Sequence, residues 1–136
     1  DLKRLYTVCK EDNIDLVVGS RYIKGVNVVN WPLSRVLLSY TASLYVRLIT
    51  GMKVLDPTAG FVCYRRVVLE AINLDQIKFI GYAFQIEMKY ITYKNKFKIK
   101  EIPIIFTDRL FGDSKLSKGI ISEAIFGVLQ MRLKNF

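Results

Sequence analysis

Apolar side chains recur along this chain at two alternating spacings, and the alternation predicts helices separated by strands. At the start, apolar residues repeat every three or four positions, which indicates an amphipathic helix of two to three turns. Its apolar face comprises Leu2, Leu5, Tyr6 and Cys9, and we expect the helix to end near Asn13.

The run from Ile14 to Ser20 is apolar without the period-two alternation of a half-exposed strand. Such a run predicts a strand buried on both faces, as in a parallel or mixed sheet. Gly19 and Ser20 are predicted to form a small-residue turn, which places Arg21 at the carboxyl end of the strand. A helix is predicted to open near Trp31 and Pro32.

That helix, from Leu33 to Thr50, is the longest one predicted, and Gly51 is a plausible stop. One apolar stripe runs along it, and a line of polar side chains occupies another side. The stripe consists of Leu33, Leu37, Tyr40, Leu44 and Leu48, and the polar line of Arg35, Ser39 and Ser43.

The second half of the chain continues the alternation of strands and helices. The segment LDPTAGF contains two breaker pairs and predicts a turn. After it we expect a strand at Gly60–Arg65, a helix at Val67–Ile72, a loop at Lys78–Gly81, a helix at Tyr82–Tyr93 with Phe84, Met88 and Ile91 inward, a strand at Lys98–Thr107 with Pro103 at an edge or bulge, a loop at Asp108–Lys118 and a helix from about Ser117 to Leu133. This order favours one α/β domain spanning residues 1–136.

Composition narrows the classes of function. The 136 residues carry a net charge of +9 and no histidine, so histidine catalysis and histidine metal ligation are excluded within this chain. The charge implies an anionic partner, namely nucleic acid, an anionic membrane or a phosphorylated substrate, unless it is a solvated basic face. Cys9 and Cys63 fit reduced core thiols. The missing initiator methionine suggests a fragment or a processed chain.

Several polar groups are candidates for chemistry. Arg21 would meet Arg35 and Ser39, which lie one helical turn apart, and arginine forks match phosphate oxygens. The alternative is that both arginines are ordinary surface or ion-paired residues. Asp56 is either catalytic or the first residue of an Asp-Pro turn. Gln85 and Glu87 on their helix, and the charged loop from Asp108 to Lys115, are ordinarily solvated.

Five segments in order, VVGSRYIKG, NWPLSRVLLS, DPTAGFVCYRR, GYAFQIEM and EIPIIFTDRLFGDSKLS, resemble the polyprenyl-phosphate (dolichyl-phosphate) mannosyltransferases, a branch of the family 2 glycosyltransferases. The resemblance covers nearly the whole chain. It implies an α/β fold of GT-A type, a mixed sheet flanked by helices. It also implies transfer of a sugar, mannose from GDP-mannose, to a polyprenyl phosphate.

The resemblance also implies roles for individual residues. Arg21, Arg35 and Ser39 match the positions that hold the lipid phosphate, and Asp56 matches the acidic residue at the edge of the reaction centre. Arg109 matches the arginine of a loop that closes over donor and acceptor and takes part in catalysis. Ser114 and Lys115 belong to that closing-loop motif.

The family's nucleotide-binding half and its Asp-x-Asp metal motif have no counterpart in this chain, which therefore resembles the acceptor half. We expect no metal site here, an inactive isolated fragment, and Mg²⁺ or Mn²⁺ in the full-length enzyme. A lipid substrate implies a peripheral enzyme on the cytoplasmic face of the membrane, with no nucleic-acid partner. The stripe of the long helix would then lie at the membrane surface or in the core. The remaining alternatives are glucose or another sugar as the donor group, and a non-catalytic basic module that binds nucleic acid or an anionic membrane.

Overall fold

The secondary structure of the computed structural model follows the predicted alternation, and the structure describes residues 2–11, 13–23, 28–29, 32–107 and 118–133. In chain order the elements are α1 (Leu2–Glu11), β1 (Leu16–Ser20), β2 (Val28–Val29), α2 (Leu33–Thr50), β3 (Val62–Tyr64), α3 (Arg66–Ala71), a 3-10 helix (Leu74–Gln76), α4 (Gly81–Lys94), β4 (Ile99–Pro103), β5 (Phe106–Thr107) and α5 (Lys118–Leu133).

Strand β1 lies at the centre of a sheet with the order β3-β1-β4. It pairs antiparallel with β3, where Val17 lies opposite Cys63, and parallel with β4, where Ser20 lies opposite Pro103. The predicted mixed sheet is therefore confirmed. All five residues of β1 are buried, as its unbroken apolar run predicted.

The two faces of β1 are covered by different parts of the chain. On one face Val17 packs with Leu5 and Cys9 of α1, and on the other Leu16 and Val18 pack with Ala59. Gly19 allows a close approach of the neighbouring chain, because an added Cβ would lie 2.9 Å from the Phe61 ring. The Gly19 amide donates to the Phe61 carbonyl at 2.8 Å, which fixes this approach.

The single strand predicted over residues 98–107 is wrong, because the chain leaves the sheet after Ile104. The Ile104 amide donates to the carbonyl of Ser20, the last residue of β1, at 3.0 Å. Because β1 ends at Ser20, the pairing of the two strands stops there. The next strand, β5, pairs in parallel with β2 instead. Among the described residues β4 is an edge strand of the sheet, as the position of Pro103 predicted.

Helix α2 packs against the rest of the protein through a different face from its leucine stripe. Val46 is buried in a cluster with side chains of α4 and α5, and the Tyr45 hydroxyl donates to the Ile125 carbonyl of α5. The leucine stripe faces outward, and the exposed fraction is 73% for Leu33 and 83% for Leu48. The core interpretation of this stripe is therefore wrong.

Helix α4 is buried on almost every side. As predicted, Met88 and Ile91 are buried, and partly buried Phe84 packs against them. Ile86 and Tyr90 lie in the second cluster, shared with α2 and α5. Two of the three charged residues of the helix, Glu87 and Lys89, are fully buried, so the expectation that Glu87 is solvated is wrong.

Candidate functional site

The carboxylate of Asp56 holds Arg21 at the carboxyl end of β1. Asp56 Oδ2 accepts hydrogen bonds from the backbone amide and from Nε of Arg21, both at 2.9 Å. Asp56 Oδ1 accepts from Arg21 Nη2 at 2.8 Å, which completes a bidentate ion pair. Asp56 is fully buried and Arg21 is 8% exposed. Planar pairing of this kind fixes the orientation of a guanidinium.

The turn at residues 56–60 supplies a second contact to the same guanidinium. Arg21 Nη2 also donates to Thr58 Oγ1 at 2.9 Å, and the Ala59 amide closes the turn by donating to the Asp56 carbonyl. Asp56 therefore starts an Asp-Pro turn, as one of the two interpretations predicted, and its carboxylate also lies in a polar cluster with Arg21 and Thr58. Its catalytic role stays a prediction.

Glu101 of β4 holds this turn from the sheet. Its Oε2 accepts from the Leu55 amide and its Oε1 from the Asp56 amide, each at 2.9 Å. Sequence reasoning missed Glu101 as a functional residue. The period-two alternation of β4 indicated a strand, but it gave no sign that the carboxylate would bond a loop 45 residues earlier.

Lys89 of α4 lies beneath the same turn and was also missed. Its Nζ donates to the Ala59 carbonyl at 2.5 Å and to the Gln85 carbonyl at 3.4 Å, and the residue is fully buried. Burial lowers the pKa of Lys89 to about 7, against the opposing attraction of Asp56 and Glu101. We refer to buried Arg21, Asp56 and Lys89, together with half-buried Glu101, as the buried charge cluster.

Tyr22 connects the end of β1 to helix α2. Its hydroxyl donates to Ser39 Oγ, its ring meets Tyr40 edge-on, and Arg21 Cζ lies 5.2 Å from its ring centroid. Burial raises the pKa of Tyr22, while the Ser39 hydrogen bond and the charges of Arg21 and Arg35 act in the opposite direction. Ser39 and Arg21 thus contact the Tyr22 phenol, and the charge of Arg35 acts on it. Sequence reasoning had not marked Tyr22 as a site residue.

The remaining predicted site residues, Arg109, Ser114 and Lys115, lie outside the described residues. Gln85 lies near the turn, because a methyl group added to Gly60 would be 3.7 Å from Gln85 Nε2. Glu87 points elsewhere: its Oε1 accepts from the Lys78 and Phe79 amides. It borders a cavity of about 370 Å³ that is also lined by Lys78, Phe79, Gln130, Met131 and Leu133.

Divalent metal binding does not fit the described part of the chain. No group of three or more histidine, cysteine, aspartate or glutamate side chains lies close enough there to hold an ion. Both carboxylate oxygens of Glu101 already accept hydrogen bonds from backbone amides, and both of Asp56 accept hydrogen bonds from Arg21. Divalent cations need several oxygen ligands, so we assign no metal-dependent step to these residues.

Comparison with curated proteins confirms the resemblance found in the sequence, since the chain is homologous to polyprenyl-phosphate mannosyltransferases. It is 44% identical over 119 residues to the undecaprenyl-phosphate mannosyltransferase of Micrococcus luteus, a match that covers 88% of this chain and 49% of that protein. It is 44% identical over 120 residues to the polyprenol monophosphomannose synthase of Mycolicibacterium smegmatis, which covers 88% of this chain and 45% of that protein. The chain thus spans about half the length of these relatives. No protein-family model matches it.

Proposed function

We propose that this chain supplies the acceptor site of a glycosyltransferase that moves mannose from a nucleotide sugar to a polyprenyl phosphate. The observation that carries the proposal is the bidentate Arg21–Asp56 pair beside the Tyr22–Ser39 hydrogen bond. These contacts hold the Arg21 guanidinium close to the hydroxyls of Tyr22 and Ser39. The charge of Arg35 acts on the Tyr22 phenol as well. Such an arrangement suits a phosphate monoester.

The residue types suit the chemistry of a phosphate nucleophile. The second pKa of a phosphate monoester is about 6, so its oxygen is already largely anionic at neutral pH and needs little help from a general base. What the reaction requires is positioning, and relief of repulsion against the diphosphate of the donor. Fixed arginines supply both, and a site without histidine is therefore sufficient. We propose direct displacement with inversion at the sugar carbon.

Asp56 acts in this scheme through Arg21. It is fully buried and both of its oxygens accept hydrogen bonds from Arg21, so we assign it to positioning the guanidinium. Arg109 is proposed to offset charge on the leaving diphosphate, with Ser114 and Lys115 in the same closing loop. If Asp56 were a general base, Asp56→Asn would alter the acidic limb of the pH-rate profile. We expect that limb to keep tracking the phosphate.

The donor is proposed to be GDP-mannose, bound with Mg²⁺ or Mn²⁺ by a GT-A fold of which this chain is one part. Because the described residues do not form a metal site, that ion would be held by other residues of the full-length enzyme. The mixed sheet with flanking helices is compatible with such a fold.

The acceptor's lipid tail requires the enzyme to work at a membrane surface, and α2 offers a face for it. Its leucine stripe is exposed, and Phe126 and Leu129 of α5, the helix that packs beside α2, are exposed as well. Within the part of the chain that the structure describes, no helix has the length and apolar character needed to cross a bilayer. We propose peripheral attachment through this face, on the cytoplasmic side of the membrane.

Transfer of radiolabelled sugar by the full-length protein tests the function. The protein is incubated with polyprenyl phosphate, Mg²⁺ or Mn²⁺, and either GDP-mannose or UDP-glucose. We expect labelled lipid with GDP-mannose, and strong loss of that product in Arg21→Gln. The matched control is Arg66→Gln, since Arg66 is an exposed arginine paired with Glu70 on α3.

Two results would change the proposed function, one in its sugar and the other in its class. Product only with UDP-glucose would retain the fold and the acceptor but change the sugar. No product with either donor, together with binding of nucleic acid or anionic vesicles that is lost in Arg21→Gln, would favour a non-catalytic basic module.

A further inference from the structure

Lys89 is unusual because a lysine side chain is rarely fully buried, as this one is on α4. Its side chain is fully buried, and the hydrogen bonds that the structure shows for its Nζ go to two neutral carbonyls, those of Ala59 and Gln85. Removing an ammonium from water costs several kcal/mol unless opposite charge compensates it. An apolar side chain of similar length would avoid that cost, so burial alone does not explain a lysine here.

The compensation comes from the groups that face Lys89 from the elements packed around it. Asp56 in the turn and Glu101 on β4 attract the ammonium, and Arg21 at the end of β1 repels it. These residues form the buried charge cluster, in which two cations balance two carboxylates. Without the charge of Lys89, the cluster would carry one excess negative charge beside Arg21.

We propose that Lys89 is a positioning residue of the acceptor site, which balances the charge of Asp56 and Glu101 and anchors the Ala59 carbonyl so that Arg21 can receive a phosphate. This inference rests on the proposed function and deepens it. Lys89 does not touch the acceptor in this scheme. It acts through the turn at residues 56–60, whose Asp56 and Thr58 side chains orient the guanidinium.

A consequence is that acceptor affinity depends on pH above neutrality. Burial lowers the pKa of Lys89 to about 7 from its ordinary value of 10.5, so the cluster gains its excess negative charge as the pH rises from 7 to 9. The phosphate is already mostly a dianion in this range, because its second pKa is about 6. Weaker acceptor binding between pH 7 and 9 therefore reports the lysine and not the phosphate.

The test compares the full-length wild-type enzyme with Lys89→Met and with Lys94→Met, a control that removes an exposed lysine from the same helix. The KM for polyprenyl phosphate, the KM for GDP-mannose and kcat are measured at pH 7 and pH 9. At an effective dielectric constant of about 20, two unit charges interact by about 4 kcal/mol at roughly 4 Å and by about half as much at twice that distance, so losing one unit charge near the phosphate changes its affinity on the order of tenfold or more. We expect the wild-type and Lys94→Met acceptor KM to rise by on the order of tenfold between the two pH values.

Lys89→Met should show a raised acceptor KM already at pH 7, no further rise at pH 9, and an unchanged donor KM. A Lys89→Met enzyme whose acceptor KM keeps the wild-type pH dependence would overturn the inference. If Lys89→Met does not fold, the wild-type profile decides: a flat acceptor KM between pH 7 and 9 overturns the inference, and a rising one supports it. Absence of sugar transfer by the wild-type enzyme would instead refute the proposed function itself.

Discussion

Asp56→Asn tests the buried ion pair most directly. Asparagine keeps the size of aspartate but replaces one acceptor oxygen by a donor amide. In the structure one Asp56 oxygen accepts two hydrogen bonds from Arg21 and the other accepts one. Whichever way the amide turns, an N–H group faces an Arg21 donor, and the guanidinium loses its buried counter-charge.

The expected cost follows from the burial of both partners, since the side chain of Arg21 is 10% exposed and that of Asp56 fully buried. Breaking a buried pair by removing one partner costs about 3–5 kcal/mol. For a protein of about twice this chain's length, each kcal/mol lowers Tm by about 2–4 °C. We therefore expect Tm of the full-length protein to fall by on the order of 10 °C.

Thermal unfolding followed by circular dichroism measures this shift, with Arg66→Gln as the control. The Arg66–Glu70 pair has side-chain exposures of 91% and 62%, so its loss should barely change Tm. Equal Tm values for Asp56→Asn and wild type would refute the reasoning, because the bidentate pair would then contribute nothing to the fold.

Three further predictions follow from the same contacts. Tyr22→Phe removes the hydroxyl that donates to Ser39, so the acceptor KM should rise by on the order of fivefold with an unchanged donor KM, as about 1 kcal/mol per hydrogen bond implies; steady-state kinetics with varied acceptor would show it. Leu48→Glu, at a position that is 83% exposed, should reduce flotation with anionic liposomes without lowering Tm, whereas Leu74→Glu on the 3-10 helix should not; equal flotation would exclude α2 from the membrane contact. Between about pH 7 and 10.5 the unfolded chain binds the Lys89 proton more tightly than the folded chain, so the stability of wild type relative to Lys89→Met should increase with pH in that window; a Tm difference that stays constant would contradict the lowered pKa of Lys89.

The sequence predicted the central strand well and the orientation of α2 poorly, and both outcomes have a physical reason. An apolar run without alternation, such as Leu16–Ser20, has burial on both faces as its natural explanation, and β1 is buried throughout. The period of a helix shows which residues share a face, but it does not show which face a neighbour covers. On α2 the covered face carries Ser43, Val46 and Thr50, while the leucine stripe is exposed.

The candidate site shows the same limit for charged residues. Arg21 and Asp56 stand out in the sequence because each adjoins a strand end or a turn. Glu101 and Lys89 look like ordinary solvated charges on a strand and a helix, since their partners lie 45 and 30 positions away along the chain. Burial of a charge is decided by such distant partners, and periodicity carries no information about them.

The position of β1 in the sheet also determines when the site can assemble during folding. Strand β1 comes early in the chain, but its parallel neighbour β4 begins with a contact between Asp15 and Lys98 that spans 83 residues. Closing so long a segment is entropically costly and slow compared with forming the helices between them. Arg21 and Asp56 can meet earlier, at a separation of 35 residues. The Glu101 contacts that hold the turn come only after β4 docks, so a truncation ending before Ile99 should leave β1 unpaired on one side and the acceptor site unformed.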